Sequence, residues 1–292
     1  MAKKSDNSPI LIPFLVLGAC LILGDARASS VPTPIEECFD IRRAPTALAS
    51  RARRLLLKAL DREALYTLAS NIKPISSGVL TLAWSPDDPK DRKMFEELQA
   101  MLPALQCGSE ARAWTLTYRE EFEGKRYTDL YFGAPALMGR TWSETPELQR
   151  LFEEPLLENP SALLERLDAL DRSERLFSFG IFFGYPRAAV DFFVAAEEEK
   201  ARTGRFVERD FRSIPVFTDS NGAFVWAVPK GSSITQAEQK IKDEAAGVLE
   251  RYKTRRDRWI PRRIELEAPP SVELLREWYC GESPSDCRRP QN

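Results

Sequence analysis

The chain has 292 residues, 43% of them hydrophobic and 29% charged, with a formal net charge of −2. Those proportions suit a globular fold with a sizeable core and exclude a global electrostatic drive toward nucleic acid, which needs a clear basic excess. The sequence contains no histidine. That excludes every Ser–His or Cys–His nucleophile pair and every imidazole metal ligand, and leaves acid–base work to carboxylates, lysine or tyrosine.

Lys3 and Lys4 precede an apolar run from Ile10 to Gly24, followed by Ala26-Arg27-Ala28. A basic head, a greasy middle and a small-x-small exit read as a secretory signal over residues 1–28. The run is shorter than the roughly 20 residues a helix needs to cross hydrocarbon, so cleavage after Ala28 is expected over a retained span. Leu17-Gly18-Ala19-Cys20 offers a second processing route, lipidation at Cys20, although the apolar run continues through Leu21-Ile22-Leu23. Either route places the mature chain outside the cytoplasm, in the periplasm or beyond.

Residues 29–292 read as a single α+β domain with a disulfide-capable C-terminal tail. Ser29 to Pro45 is a proline-punctuated lead-in. From Thr46 the residues Leu48, Ala52, Leu55, Leu56, Ala59 and Leu60 recur at helical spacing, and the pattern resumes at Asp61 to run to about Asn71. Lys73-Pro74 ends it, Ser76-Ser77-Gly78 is the expected turn, and Val79 to Trp84 reads as a buried strand. Asp87 to Leu105 returns to helical periodicity.

Ala113 to Phe132 alternates apolar and polar residues across Glu123-Gly124-Lys125 and reads as a hairpin. Pro135 to Leu176 is helical, broken by Pro146, Pro155 and Pro160. Phe177 to Phe183 reads as an aromatic strand ending at Gly184-Tyr185-Pro186, with Ala188 to Lys200 a helix. A second hairpin is expected from Pro215 to Val228, turning at Asn221-Gly222. A polar helix from about Thr235 to Trp259 precedes the tail. Hairpins separated by helices indicate a largely antiparallel sheet covered on at least one face.

Four cysteines lie beyond the signal segment: Cys38, Cys107, Cys280 and Cys287. In an oxidising compartment they allow two disulfides with three connectivities. The favoured pairing joins Cys280 to Cys287 across Gly281, Ser283 and Pro284, and Cys38 to Cys107; free buried thiols are the alternative. No C-x-x-C pair exists, and neither a metal nor a cofactor is expected.

Several patterns carry possible chemistry. Ser70-Asn71-Ile72-Lys73 matches S-x-x-K, in which lysine deprotonates a serine nucleophile, but the companion Ser-Asp-Asn and Lys-Thr-Gly motifs are missing. Trp114, Tyr118, Tyr127 and Tyr131 beside Glu120, Glu121 and Asp129 fit either a sugar site or a sheet burying its aromatic face. Tyr185 and Arg187 follow Gly184 at an element boundary, where α/β folds place ligands. The run Arg251 to Arg263, including Arg255 and Arg256, reads as a solvated helix end or as a contact for anionic head groups or an acidic partner. Asp219-Ser220-Asn221-Gly222 starts like a calcium loop but has Lys230 at the twelfth position, so it reads as a turn.

Asp61-Arg62-Glu63-Ala64-Leu65-Tyr66-Thr67-Leu68, with Lys73-Pro74-Ile75-Ser76-Ser77-Gly78, resembles a segment shared by exported bacterial proteins of unknown function. Gly180 to Pro186 and Phe224 to Gly231 are similar to other parts of them. The resemblance implies a bacterial envelope setting and no particular chemistry. The absent histidine, the signal segment and the basic C-terminal helix lead to an expected function of non-catalytic binding of an envelope protein or small ligand, with Lys73, Tyr185, Arg187, Arg255 and Arg256 as binding residues. The membrane is touched only through the signal segment or lipidated Cys20. A histidine-independent hydrolase using carboxylates or a Ser–Lys pair is the alternative.

Overall fold

The computed structural model describes residues 38–108, 110–152, 159–260 and 269–280, with the backbone alone at 220, 221 and 280. The signal segment, Cys20, Cys287, Arg262 and Arg263 lie outside them. The fold is α+β, with two antiparallel sheets among the described residues.

Helix α1 (Ala49–Leu60) buries Ala52, Leu55, Leu56, Ala59 and Leu60 along one stripe, as their spacing requires. The chain then turns at Asp61, and only Leu65–Leu68 (α2) is helical in the stretch expected to run to Asn71. Strand β1 (Ile75–Trp84) begins earlier than expected. Ser76-Ser77-Gly78 lies within it as a bulge: the register passes from Ser76 opposite Phe132 to Leu80 opposite Leu130, and Gly78 has φ +74°. Tertiary bonds hold the bulge, since the Ser76 hydroxyl lies 2.6 Å from that of Thr67 and donates to the Glu63 carbonyl.

Asp88 caps α3 (Pro89–Met101), accepting from the Lys90 amide at 2.8 Å with Pro89 at the first helical position. Strands β2 (Arg112–Thr117) and β3 (Arg126–Gly133) form the first expected hairpin, and β3 is central in the order β1-β3-β2. Alternation divides this sheet. Val79, Leu130, Phe132 and Ala113 join the core with α1 and α3, whereas Trp114, Leu116 and Tyr131 face a second core with the following helices. Both faces are covered.

Four helices follow: α4 (Pro135–Ser143), α5 (Pro146–Leu151), α6 (Pro160–Asp168) and α7 (Arg172–Phe182). The expected aromatic strand over Phe177 to Phe183 is thus the second half of a helix. A short apolar run does not distinguish the two states, and here Leu176, Phe179 and Phe183 recur at three and four residues. The helix closes with Gly184 in the left-handed region: its amide donates to Ile181 and that of Tyr185 to Gly180, the paired bonds of a Schellman cap. Gly184-Tyr185-Pro186 therefore joins two helices, the second being α8 (Arg187–Thr203).

The second hairpin comprises β4 (Arg209–Val216) and β5 (Asp219–Pro229). Its reversal falls at Phe217-Thr218, since Val216 pairs with Asp219, and Asn221-Gly222 lies inside β5. Tertiary anchors decide this. The Thr218 amide and hydroxyl both donate to the Asp61 carbonyl, at 3.1 and 3.0 Å, and Phe217 meets Tyr252 edge-on. Helix α9 (Gln236–Trp259) opens with a Thr235/Glu238 capping box, and α10 (Ser271–Cys280) packs on α1 and α9.

Candidate functional site

Cys38 and Cys107 form a disulfide, fixing the start of the described chain to the segment before β2. The Cys280–Cys287 pairing lies outside the described side chains.

Lys73 is fully buried. Its ammonium donates to Glu63 Oε2 at 3.1 Å and sits 3.8 Å from the Phe224 ring centroid, with Tyr185 at 5.4 Å and Phe183 at 5.6 Å. The rings' negative faces and one carboxylate replace water around a cation that burial would otherwise expel. Burial lowers the Lys73 pKa and Glu63 opposes that shift. The Ser70 hydroxyl, in contrast, donates to the Tyr66 carbonyl at 2.6 Å and accepts from the Ile72 amide. Serine and lysine of the S-x-x-K pattern thus serve separate partners and make no nucleophile pair.

The arginines expected to meet a ligand or partner are engaged in contacts within the chain. Arg187 pairs with Glu147 and Asp191, each at 2.8 Å. Arg256 grips Asp61 through two nitrogens, and its guanidinium lies 4.1 Å from the Phe217 ring centroid. Arg255 lies over Trp278 and 3.7 Å from Glu277, which also pairs with Arg258. This stretch of basic residues, as far as it is described, binds α9 to α10 and to the turn after α1.

A concave cleft of about 590 Å³ opens between the three-stranded sheet and α7. Thr81 on β1, Asp129 and Tyr131 on β3 and Tyr118, the residue after β2, project into it, and Asp168, Arg175, Phe179 and Phe183 form the helical wall. Strand periodicity explains the first group, because Tyr127, Asp129 and Tyr131 alternate with core residues along β3. Asp129 accepts from Thr81 Oγ1 at 2.6 Å and from the Tyr118 hydroxyl at 2.8 Å, and the hydroxyls of Tyr118 and Tyr131 lie 2.8 Å apart. Arg175 stands 3.7 Å from Asp168. Burial raises both tyrosine pKa values, with Tyr131 and Asp129 adding to the shift at Tyr118. These phenols are therefore protonated donors at neutral pH, poor as bases or nucleophiles.

The aromatic hairpin is both a packing face and a site wall. Trp114 is buried in the packing face, Tyr131 is buried but reaches the cleft, and Tyr118, Tyr127, Glu120 and Asp129 line it. Tyr185 lies just beyond, walling a smaller apolar chamber with Phe183, and Lys73 lies behind the two rings. Of the expected binding residues, Tyr185 lines the smaller chamber and Lys73 lies buried against its ring, whereas Arg187, Arg255 and Arg256 line neither cavity. Asp168 and Arg175, on different helices, and Glu63, paired across ten positions with Lys73, carried no local signal. Among the described residues no cluster of three or more Cys, Asp or Glu is placed to hold a metal ion. No helix among them is long and apolar enough to cross a membrane. No protein-family model, curated protein or solved structure matches the chain.

Proposed function

We propose that this is an exported, non-catalytic binding protein of the bacterial cell envelope, with the cleft between the three-stranded sheet and α7 as its ligand site. The observation that carries the reading is the Tyr118 hydroxyl, held between Asp129 and the Tyr131 hydroxyl on the wall of a concave cleft. A few convergent polar groups on an aromatic surface suit recognition of a small polar ligand. Protonated phenols and an uncoupled Ser70 and Lys73 favour binding over nucleophilic chemistry. The basic-apolar-small N-terminal segment, the Cys38–Cys107 disulfide and the resemblance to exported bacterial proteins support the setting.

The test is calorimetric screening of polyols, amines and sugars against the wild type and the Tyr118→Phe and Asp129→Asn variants. A ligand whose affinity falls at least about tenfold in both supports the site. A ligand that ignores both substitutions places the site elsewhere. Mass spectrometry of the protein recovered from its native host checks export separately: an intact Met1 in a cytosolic fraction rejects it.

The second reading is a carboxylate-dependent glycan hydrolase, favoured by Glu120, Asp129 and Asp168 lining the same cleft. Glycan hydrolysis abolished by Asp129→Asn and Asp168→Asn supports that reading; no turnover between acid and neutral pH removes it.

A further inference from the structure

A second cavity, of about 260 Å³, lies between α7, α8 and the β4–β5 hairpin, and its walls are almost wholly apolar: Tyr185, Val190, Phe193, Trp226 and Ala227 among them. Both cavities are walled by Leu176, Phe179 and Phe183, one stripe of α7 and its capping residue. Phe211, 67% exposed, stands at the edge of the apolar chamber. Gly180 lets α8 approach α7 on this side: a Cβ there would lie 2.9 Å from a Val190 methyl.

The charges on the two sides differ. The cleft carries Glu120, Asp129 and Asp168 against Arg175 alone, and presents the rings of Tyr118, Tyr127 and Phe179 beside them. No ionised side chain lines the chamber. A ligand spanning both must present a cation to carboxylates and ring faces and an apolar tail to the chamber.

We propose that the ligand is a single-chain amphiphile with an alkylammonium head in the cleft and a medium-length alkyl tail in the chamber. The proposal rests on the cleft being the ligand site and names the class of molecule it takes. At about one water's volume per methylene, roughly 30 Å³, the chamber fills at about eight to ten carbons.

The test is calorimetric titration with n-alkyltrimethylammonium salts from butyl to dodecyl, each below its micelle concentration. Tetramethylammonium serves as the head-only probe and n-alkyl sulfates of matched length as the charge-reversed probe. Affinity is expected to rise about fourfold per added methylene until the chamber is full, then level off. The sulfates are expected to bind at least about tenfold more weakly. Ala227→Trp, which fills the chamber, is expected to abolish the length dependence. Phe211→Ser, a change at an exposed position, is expected to weaken only the longer chains.

Equal affinity for all chain lengths, with tetramethylammonium still bound, overturns the amphiphile and leaves the cleft as a site. Sulfates binding as tightly as the ammonium series overturn the cationic head. If no member binds while another ligand binds in a Tyr118- and Asp129-dependent way, the amphiphile alone falls. If nothing binds the cleft at all, both readings fall.

Discussion

The Lys73 ammonium lies 3.1 Å from Glu63 Oε2 and 3.8 Å from the centre of the Phe224 ring, sealed from solvent behind Tyr185. One charged contact thereby ties the turn after α1 to the strand entry after α2 and, through Phe224, to the second sheet. Ion pairs of this kind contribute little net energy yet are costly to break on one side, because the surviving charge stays desolvated.

Glu63→Gln leaves the buried ammonium without its carboxylate and is expected to cost about 3–5 kcal/mol of unfolding free energy. Glu63→Gln with Lys73→Met removes both charges at similar volume and is expected to recover most of that loss. Urea denaturation of wild type, single and double variants checks this. A double variant as unstable as Glu63→Gln alone would show that the rings, not the charge, set the cost.

Asp61 and Arg256 form the second such joint. The Asp61 carboxylate accepts from Arg256 at 2.6 and 2.9 Å and from the Tyr252 hydroxyl at 2.7 Å, and its carbonyl holds Thr218. Arg256→Ala and Asp61→Ala are each expected to lose about 3–5 kcal/mol, and the double-mutant cycle to return a coupling of about 1–3 kcal/mol. Additive losses would mean that Arg256 acts through its packing on Phe217 alone. The same result bears on α9 as a docking surface, since a partner there would have to compete with internal contacts.

Gly184 is required by space as well as by its φ of +74°, because a Cβ would fall 2.5 Å from the Ile72 carbonyl oxygen. Gly184→Ala is expected to cost at least about 2 kcal/mol. Gly204, with φ +72° and nothing within 4 Å of a built Cβ, separates the two causes. Gly204→Ala is expected to cost about 1 kcal/mol, from backbone conformation alone. Equal losses in chemical denaturation would remove the close approach between Gly184 and Ile72 as a determinant.

Alkaline stability follows from the buried phenols. Burial raises the pKa of Tyr66, Tyr118, Tyr131, Tyr185 and Tyr252, so the folded chain keeps protons that the unfolded chain releases from about pH 10 upward. Their stabilisation is complete below that pH and is lost as pH rises, at roughly 1.4 kcal/mol per pH unit for each tyrosine still protonated. Lys73 runs the other way: its folded value lies below 10.5, so stability gains with pH between the two. Lys58, lowered by burial and by Arg62, adds to that gain, so the sum is a shallow rise or plateau approaching pH 10 and a fall beyond it, the fall flattened by Tyr118→Phe and the rise reduced by Lys73→Met. Denaturation midpoints measured between pH 8 and pH 11 decide it; an unchanged slope in Tyr118→Phe would refute the burial argument.

Local pattern alone was enough for α1, α3, the Arg112–Gly133 hairpin and the α+β class, since side-chain period and proline placement act over a few residues. It also favoured Cys38–Cys107, and it left the Tyr118 and Asp129 hairpin open between a sugar site and a buried aromatic face. Tertiary structure decided the rest, wherever a distant partner outweighed local preference. Packing made Phe177–Phe183 helical, Asp61 and Tyr252 drew the second hairpin's reversal to Phe217-Thr218, and the core took Arg256 from the surface. The cleft itself is a tertiary object: it exists because β3 carries Asp129 and Tyr131 opposite Asp168 and Arg175, residues some forty positions away whose only shared property is the face on which the fold has placed them.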